Sequence, residues 1–470
     1  MTSDLQAAIA ERKSDFDHIR SDYAHKGVEF VQVHFPDLTG LLRTKYAPFK
    51  VAAEGESLNA ILYNIVHADG APIGDVVFDA PICWLDNGYR SIQALVDPAS
   101  AAIHGWRPNT ASMMLNSFME DGTACTLDIR ARLKHFEDKA RAMGFVPHFA
   151  FEYEFGIFHY DEELVQAGRY SELKPHGKSF TNYDMLRAPG YEDLIQEFMR
   201  RMESIGAPLA SFVSEFGRGM YEFALKPQPA LAAADAAMRA KHHVKELCQE
   251  HGLIATFMTR FQDLGGESSS GAHIHQSLAD VETGAHAFQG DGEDLSETGR
   301  AYLAGLLRTM QDFHVVFRPT MNSYRHMDRI AWSPEEVYWG VENRVAAVRA
   351  INRPTAAACR LEHRCSGSDV NPYLAITAML AAGLKGIEEG WDPGTAVPGA
   401  SEEAERDRPL TRSLEASLEN FRASETAKEI FGEDLWMQYI RSRENEIAAY
   451  RTWQEQHITA FEFGRYFEGT

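Results

Sequence analysis

The sequence predicts an α+β protein in which strands carry clustered polar residues and helices pack behind them. Two observations support this fold class. Three short segments alternate polar and apolar residues as strands do, and several longer segments repeat apolar residues with the period of a helix. Because neighbouring side chains in a strand point to opposite faces, residues two apart share a face. Each alternating segment therefore gathers its polar groups on one face.

The first alternating segment, Phe149–Phe158, places Glu152 and Glu154 side by side on one face. Two adjacent carboxylates on a largely apolar strand repel each other and resist burial, and a divalent cation between them removes that repulsion. Taken alone, the segment favours a plainer interpretation, an edge strand with a solvated acidic face, because exposed glutamates are common.

Two further segments, Gly271–Leu278 and Cys359–Arg364, change that balance. The polar residues that share a face are His273 and His275 in the first, and Arg360, Glu362 and Arg364 in the second. Carboxylates, imidazoles and guanidiniums on three strands are complementary in their chemistry. Together they predict one sheet whose concave face holds a metal–nucleotide complex.

Bulk properties narrow the class of protein. The 470 residues carry a net charge of −22, which argues against a general nucleic-acid or anionic-membrane surface. The five cysteines are scattered and form no CxxC pair, which fits a reducing compartment and argues against a structural zinc site. The chain starts without a basic and apolar leader, and no apolar run approaches the roughly 20 residues of a membrane helix. We therefore predict a cytoplasmic protein.

The first quarter of the chain predicts a small β-rich unit. The expected elements are a charged amphipathic helix from about Leu5 to Lys26, a strand over Val28–Phe35, a turn over Pro36–Gly40, a returning strand over Leu41–Phe49, and short strands between Asp75 and Met119. A boundary is expected near residues 120–123. It divides a domain of residues 1–120 from a domain of residues 121–470.

Much of the larger domain has a helical pattern. The expected helices are Asp128–Met143 with Asp128 as N-cap and Gly144 after its end, Tyr191–Ile205, Leu231–His251, Leu303–Phe317, Pro372–Glu389, and most of Glu402–Thr470 with a break near Gly432. Glycines at the expected ends support these boundaries.

These segments resemble the motifs of the glutamine synthetase superfamily of ATP-dependent γ-glutamyl ligases, from about Val28 to the C-terminus. The motifs are FEYEF (Phe151–Phe155), SEFGRGMYEF (Ser214–Phe223), GAHIHQSL (Gly271–Leu278), PTMNSY (Pro319–Tyr324), NRVAAVR (Asn343–Arg349), and RLEHR with NPYLA (Arg360–Ala375). The resemblance implies a small N-terminal β-grasp domain followed by a large catalytic domain with a curved antiparallel sheet.

The resemblance also implies two metal sites for Mg²⁺ or Mn²⁺. The implied ligands are Glu154, Glu215 and Glu222 for one site, and Glu152, His273 and Glu362 for the other. Carboxylates with one imidazole suit these hard cations. For Glu215 and Glu222 the plainer alternative is a solvated loop, because a Gly-Arg-Gly turn separates them.

Further roles follow from the resemblance, with ATP as co-substrate. The implied residues are His275, Ser277, Arg349 and Arg360 for nucleotide binding, Arg344 for the transferring phosphoryl group, and Ser268, Ser269, Arg325 and Arg364 for substrate binding. Guanidinium groups suit a phosphoryl group whose charge is spread over its oxygens. The plainer alternative for each arginine is a surface salt bridge.

The implied reaction has two steps, phosphorylation of the γ-carboxylate of glutamate by ATP and displacement of phosphate by an amine. In the family, identical subunits form rings, so the expected assembly is a homo-oligomeric ring, with a dodecamer as one form. The N-terminal domain of one subunit closes the site of its neighbour. Asp37 matches the aspartate that helps to bind and deprotonate ammonium across that interface.

The sequence departs from the family pattern around the amine. Trp332 stands where ammonia-using members have a glutamate that attracts ammonium. An indole cannot accept a proton and offers an apolar face. Ser179 falls near the expected ammonium-site tyrosine. His326 stands where an arginine is usual, so Arg325 or Arg329 takes that role, and Ser268-Ser269 replaces an Asn-Gly pair.

These departures predict a γ-glutamylamide synthetase that joins glutamate to an organic amine. Trp332, Tyr338 and Trp339 favour an apolar amine over a polyamine. In the plainer interpretation Trp332 is a core residue and Glu335 or Glu336 supplies the missing acid. Two other functions stay open at this point, an ordinary glutamine synthetase and a non-catalytic assembly protein that keeps the fold.

Overall fold

A computed structural model describes most of the chain, and the statements below concern the described residues. These are residues 16–49, 56–63, 65–67, 75–76, 88, 91–119, 121–177, 182–184, 191–261, 269–290, 294–326, 332–352, 355, 358–399 and 408–467. The first 15 residues, and with them most of the expected N-terminal helix, lie outside this part. The helix is present from residue 16 to residue 25 and is named α1.

The secondary structure alternates between strands and helices after an N-terminal region of strands. The strands are β1 (Phe30–Pro36), β2 (Leu42–Pro48), β3 (Glu56–Asn59), β4 (Ile65–His67), β5 (Asp75–Val76), β6 (Ser91–His104), β7 (Arg107–Phe118), β8 (Phe145–His159), β9 (Leu209–Ser214), β10 (Met220–Leu225), β11 (Gln228–Pro229), β12 (Leu253–Thr256), β13 (Gly271–Asp280), β14 (Trp339–Val341), β15 (Val348–Ile351) and β16 (Arg360–Gly367). The helices after α1 are α2 (Ile129–Ala142), α3 (Glu162–Gln166), α4 (Glu192–Ser204), α5 (Ala230–Glu250), α6 (Glu297–Thr309), α7 (His314–Phe317), α8 (Pro372–Glu389), α9 (Leu414–Ala423), α10 (Glu425–Phe431), α11 (Glu433–Gln456) and α12 (Ala460–Tyr466).

The N-terminal strands form a five-stranded sheet in the order β2-β1-β7-β6-β3. The expected hairpin is confirmed, because β1 and β2 pair antiparallel around the turn at residues 37–40. Strand β1 also pairs with β7 in parallel. Strands β6 and β7 have 14 and 12 residues, so they are longer than the short strands that the sequence indicated.

A larger, mostly antiparallel sheet organises the rest of the chain. Its main path runs in the order β14-β15-β16-β13-β8-β10-β9, with β11 and β12 also paired to β8. Strand β8 therefore lies in the interior of the sheet, with β13 on one side and β10 on the other. The edge-strand interpretation of Phe149–Phe158 is wrong, and the three alternating segments are neighbours in one sheet, as predicted.

The apolar face of this sheet packs against helices. Phe151, Tyr153 and Phe155 are fully buried, and helices α2 and α5 contact β8 on that side. A second, smaller core lies under the N-terminal sheet, around Val31 and Val33. The two cores accord with a division near residues 120–123. That division stays a prediction, since residues from the first part, such as Met114, also join the larger core.

Most helix ends follow the expected chemistry. The Asp128 side chain accepts hydrogen bonds from the backbone N–H groups of Arg130 and Ala131, and Gly144 has the positive φ of a residue that ends a helix. Helix α8 begins and ends as predicted, with Asn371 as its N-cap and Gly390 in the left-handed conformation after it.

Two helix predictions need correction. The segment Leu303–Phe317 is not one helix, because α6 starts earlier, at a Ser296 cap, and α7 is a separate single turn. In the C-terminal region residues 401–407 lie outside the described part, and the first helix there starts at Leu414. The predicted break at Gly432 is present, with a further break at Ser424.

Among the described residues, no helix is both long enough and apolar enough to cross a lipid bilayer.

Helices α6 and α8 approach each other closely through glycines. A Cβ atom added at Gly305 would lie 2.0 Å from the carbonyl oxygen of Ala382, and one added at Gly386 would lie 2.1 Å from that of Ala301. These are backbone atoms of the facing helix, so no side-chain rotation relieves the overlap. The two glycines therefore set the spacing of the helices.

We expect Gly305→Ala to destabilise the fold, although alanine is the better helix former by about 1 kcal/mol. Forcing α6 away from α8 costs roughly 1–3 kcal/mol or more, which outweighs that gain. Gly464→Ala in α12 is the matched control, because no described atom lies within 4 Å of its added Cβ, and it should be neutral or stabilising. Denaturant unfolding of both variants measures the difference. Equal stability of the two would contradict close packing of α6 on α8.

Candidate active site

The polar faces of four neighbouring strands meet at the centre of the large sheet. The strand registers place His273 of β13 opposite Glu152 of β8, and Glu222 of β10 opposite Glu154 of β8. Glu362 of β16 lies opposite His275 of β13. The predicted carboxylates and imidazoles of these strands therefore share one surface, since strand pairing aligns their faces.

Glu152 is the hub of this surface. One of its carboxylate oxygens lies 3.0 Å from Nε2 of His275, and the other lies 3.5 Å from Nδ1 of His273. Burial by itself would raise the pKa of Glu152. Hydrogen bonds from the two histidines outweigh burial and hold the pKa well below its usual range. Glu152 therefore stays ionised at the bottom of the site.

Three further carboxylates crowd the same side of the surface. Burial raises the pKa of Glu154, whose Oε2 accepts a hydrogen bond of 2.7 Å from the Gly271 N–H. Burial and the charge of Glu154 raise the pKa of Glu215 to about 7. Burial and the charge of Glu152 raise the pKa of Glu222 to about 8. The protein alone does not balance these negative charges, and a divalent cation would.

The sharp turn between Glu215 and Glu222 explains why both reach this surface. Gly217 and Gly219 have φ angles of 135° and 71°, which side chains rarely adopt. The turn reverses the chain from β9 to β10. Both glutamates are partly buried, so the solvated-loop alternative is wrong.

On the opposite side, Glu362 is held by two arginines. Its carboxylate is ion-paired with Arg364, and its other oxygen lies 3.1 Å from Nη1 of Arg349. Burial raises the pKa of Glu362, but Arg364 and the histidines overcome this effect and lower the pKa to about 2. Glu362 is almost fully buried, which excludes a surface salt bridge.

The predicted nucleotide residues lie along this side of the sheet. Arg360 donates from Nε to Nδ1 of His275 over 3.0 Å, so the ring proton of His275 lies on Nε2, facing Glu152. Ser277 follows on the same strand face, two residues beyond His275. Arg344 is exposed, and its charge acts on Tyr183 at the mouth of the site.

At this surface, two groups of described residues have donor atoms that converge as metal ligands do. They are Glu152 with Glu222 and His273, and Glu152 with His275 and Glu362. Carboxylates with imidazoles fit Mg²⁺ or Mn²⁺. These groups differ from the two predicted ligand sets. Glu152 belongs to both groups, and His275, predicted to bind the nucleotide, joins Glu152 and Glu362 in one of them.

Asp37 lies outside this surface in the protomer. Its buried carboxylate accepts hydrogen bonds from the backbone N–H groups of Thr39 and Leu41 and from the Thr39 hydroxyl, and it is ion-paired with Arg43 at 2.7 Å. Its backbone carbonyl also accepts a hydrogen bond from Asn371. These contacts hold the carboxylate within its own turn, and the predicted role of Asp37 across a subunit interface stays a prediction.

The predicted substrate residues are only partly described. Ser268, Ser179 and Arg329 lie outside the described residues. Ser269 is buried directly before β13, and its hydroxyl has no hydrogen-bond partner within the described chain. Arg325 lines a cavity of about 940 Å³ together with Arg218 and Phe261, and its Nη2 lies 3.1 Å from the Tyr450 hydroxyl.

Trp332 is not a core residue. Its side chain is 53% exposed, and its φ of 58° is an outlier for a bulky residue. The next residue, Ser333, is buried, and its hydroxyl accepts a hydrogen bond from Nη2 of Arg318. Nε of Arg318 donates to the carbonyl of Cys365, the residue after Arg364. The fold thus holds an exposed indole on a strained backbone, next to a strand of the site.

The other aromatic and acidic candidates behave differently. Trp339 is buried in the main core, so the prediction that it favours an apolar amine is wrong. Tyr338 donates its hydroxyl hydrogen to the Val345 carbonyl. Glu335 lies 3.4 Å from Arg412, and Glu336 is partly buried. Glu335 is therefore engaged with Arg412, which weakens the case that it replaces the missing acid.

Sequence reasoning missed two residues of the site. Tyr183 is 68% exposed. The partial burial of its hydroxyl raises its pKa, and the charges of Glu222 and Glu215 raise the pKa further. Glu342 lies 2.5 Å from Nη2 of Arg349. Tyr183, Glu342 and Trp332 are the only non-glycine residues with positive φ among the described residues. A left-handed backbone gives no sequence signal when glycine is not used.

Gly219 tests whether the turn positions the carboxylates. A Cβ at Gly219 would lie 2.6 Å from the Ile157 carbonyl oxygen, whereas Gly284 has nearly the same φ and no described atom within 4 Å of an added Cβ. Gly284→Ala should cost only the left-handed strain, about 1–2 kcal/mol. Gly219→Ala should cost roughly 1–3 kcal/mol more and weaken Mn²⁺ binding. Denaturant unfolding measures the stability of each variant, and calorimetry measures its Mn²⁺ affinity. Equal stability and equal Mn²⁺ affinity in the two variants would refute the role of the turn.

The comparison with protein families agrees with this geometry. The catalytic-domain model of glutamine synthetase matches residues 126–466, which is most of the chain. The chain therefore belongs to the glutamine synthetase family. Enzymes of this family use ATP, divalent metals and small-molecule substrates.

Particular relatives refine the picture. A glutamate–isopropylamine ligase of a Pseudomonas species is 30% identical over 97% of this chain and 99% of its own length. A γ-glutamylethanolamide synthetase of Streptomyces coelicolor is 30% identical over 94% of this chain and 93% of its own. Among solved structures, a GmaS–ADP complex has a TM-score of 0.79 and 26% identity, and the match covers 96% of this chain and 99% of the other.

Proposed function

We propose that this protein is an ATP-dependent ligase that joins the γ-carboxylate of glutamate to an organic amine through a γ-glutamyl phosphate intermediate. The observation that carries the choice of amine is Trp332, an exposed indole held on a strained backbone where ammonia-using members have a glutamate. The sequence relatives whose names specify amines other than ammonia support the same choice.

The central carboxylates are the proposed metal ligands. We assign Glu152, His273 and Glu362 to one Mg²⁺ or Mn²⁺ ion and Glu154, Glu215 and Glu222 to a second, with Glu152 close enough to both groups to couple them. When bound, these cations neutralise charge on the phosphates of ATP. The crowding of carboxylates with raised pKa values supports this assignment.

The arginines are assigned to the anionic groups of the substrates. Arg349 and Arg360, with His275 and Ser277, would hold the nucleotide, and Arg344 would face the transferring phosphoryl group. Arg349 and Arg364 already neutralise Glu362, so each presents a guanidinium that is fixed in place before substrate arrives. We assign Arg364, Arg325, Ser268 and Ser269 to glutamate.

The amine would lie between Trp332 and Tyr183. Both rings are exposed, and Tyr183 stands beside Glu222 and Glu215. The rings would cover the apolar part of the amine, and the carboxylates would attract its nitrogen. In this arrangement an apolar amine gains contacts that ammonium cannot make.

The expected assembly and location belong to the same proposal. We propose a homo-oligomeric ring, with a dodecamer as one form, and action in the cytoplasm. We assign Asp37 a catalytic role at the amine in the site of a neighbouring subunit, with its turn held by Asn371 at the start of α8.

An amine panel tests the proposal directly. Phosphate release from Mg·ATP and glutamate would be measured with ammonium, methylamine, ethanolamine, isopropylamine, aniline and putrescine. We expect an organic amine to exceed ammonium in kcat/KM by at least roughly tenfold, about 1.4 kcal/mol. A preference for ammonium would instead identify a divergent glutamine synthetase. An absence of turnover with every amine would favour a non-catalytic protein.

The role of Trp332 has its own test. We expect Trp332→Glu to lower kcat/KM for the preferred amine and to raise it for ammonium, because the variant restores an acid and removes the apolar wall. Trp332→Phe is the control, since it keeps an aromatic face and should keep the preference. An unchanged ratio of the two amines in Trp332→Glu would show that the indole does not select the amine.

The role of Glu152 is tested through metal binding. We expect Glu152→Gln to lower kcat at least about a hundredfold, roughly 3 kcal/mol, and to weaken Mn²⁺ binding, because both groups of donor atoms lose a charge. Glu282→Gln, on the exposed turn after β13, is the control. If Mn²⁺ affinity and activity both survive the loss of Glu152, the metal assignment fails.

A further inference from the structure

A second group of side chains that could hold a metal ion lies outside the active site, on helix α5. His242, His243 and Glu246 stand within one turn of this helix. The helix faces the N-terminal sheet at this point, since the His242 ring lies 6.2 Å from the ring of His34 on β1 and the His243 ring lies 5.4 Å from the ring of His104 on β6. The group therefore occupies the junction between the two sheets' domains.

The donor atoms of the three α5 residues converge. One ring nitrogen from each histidine and one carboxylate oxygen of Glu246 all lie within 4.8 Å of one another. The ring centroids of His242 and His243 are 5.1 Å apart. Two imidazoles on one tetrahedral zinc ion have centroids about 5 Å apart, given Zn–N bonds of about 2.0–2.1 Å. The spacing is thus that of a shared cation.

Several buried ring nitrogens around the group have no partner. Nε2 of His243, Nε2 of His34 and both ring nitrogens of His104 have no hydrogen-bond partner within the described chain, and these three rings are almost fully buried. Burying polar groups without partners is costly. Nδ1 of His243 lies 3.0 Å from a carboxylate oxygen of Glu246, so these two atoms, rather than Nε2 of His243, are placed to share one cation.

The Glu246 carboxylate stands among basic side chains. Arg107 and Arg239 bring positive charge close by, but Arg107 is bound by Glu246 at 2.6 Å and by Glu250 at 3.0 Å.

We propose that His242, His243 and Glu246 form a structural zinc site at the junction of the N-terminal sheet and helix α5. Imidazole nitrogens with one carboxylate favour Zn²⁺ over Mg²⁺ or Mn²⁺. The absence of a CxxC pair does not bear on such a site, because its ligands are histidines and a glutamate. The ion would fix α5 against β6, where His104 and Trp106 stack at 4.5 Å beside His243.

Zinc retention in untagged protein tests this site. The protein is stripped with a chelator, given Zn²⁺ in excess Mg²⁺ to compete at the active-site carboxylates, and freed of loose metal by gel filtration before elemental analysis. We expect wild type to retain one more zinc per chain than His242→Gln, with an affinity at least about 100-fold higher. His251→Gln, on an exposed residue at the end of α5, should retain zinc as wild type does.

The readout separates this site from the active site. The His242 side chain is only half-buried, so its variant should stay folded, which circular dichroism checks. His243→Gln is the second ligand variant, and Glu246→Gln replaces it if His243→Gln does not fold. Zinc that raises the melting temperature of wild type and His251→Gln, and not that of the ligand variants, supports the site. Equal zinc retention in wild type and His242→Gln would overturn it.

Discussion

The balance of charge around Glu152 is the constraint on which the rest of the structure depends. Two histidines of β13 face it on one side, and Glu154, Glu215 and Glu222 crowd it on the other. Arg349 and Arg364 are both ion-paired with Glu362, and Arg349 is also ion-paired with Glu342. Like charges at this spacing cannot all stay ionised in a partly buried site, so the surface is complete only with cations and anionic substrate. Other contacts therefore hold the strands of this surface together before cations and substrate bind.

Buried polar side chains provide that support from behind the sheet. Lys241 of α5 donates to the Ser368 carbonyl, while the Ser368 hydroxyl bonds the carbonyls of Glu154 and Gly271. Arg318 bonds the Cys365 carbonyl and, through Ser333, positions the backbone next to Trp332. Because a buried polar group without a partner is costly, these bonds help to fix the registers of β8, β13 and β16.

Much of the fold and of the site was predictable because both depend on local patterns. Period-two alternation identified β8, β13 and β16, and the Asp128 cap and Gly144 identified α2. Predictions failed where distant contacts decide the outcome. The α6–α7 segment breaks although its apolar pattern continues, and Trp339 is buried although the nearby Trp332 is exposed.

The sequence by itself determined the class of the protein, its strand faces and the kinds of polar group on them, because side-chain alternation and motif spacing are properties of the chain. Only the tertiary structure decided which of those groups meet. Strand order placed β8 in the middle of the sheet and made Glu152 a neighbour of His275 as well as His273. The tertiary structure also holds Tyr183 and Trp332 in the left-handed backbone conformation, with their side chains exposed. It brings histidines from β1, β6 and α5 together. These are contacts between residues far apart in the chain, and no local pattern encodes them.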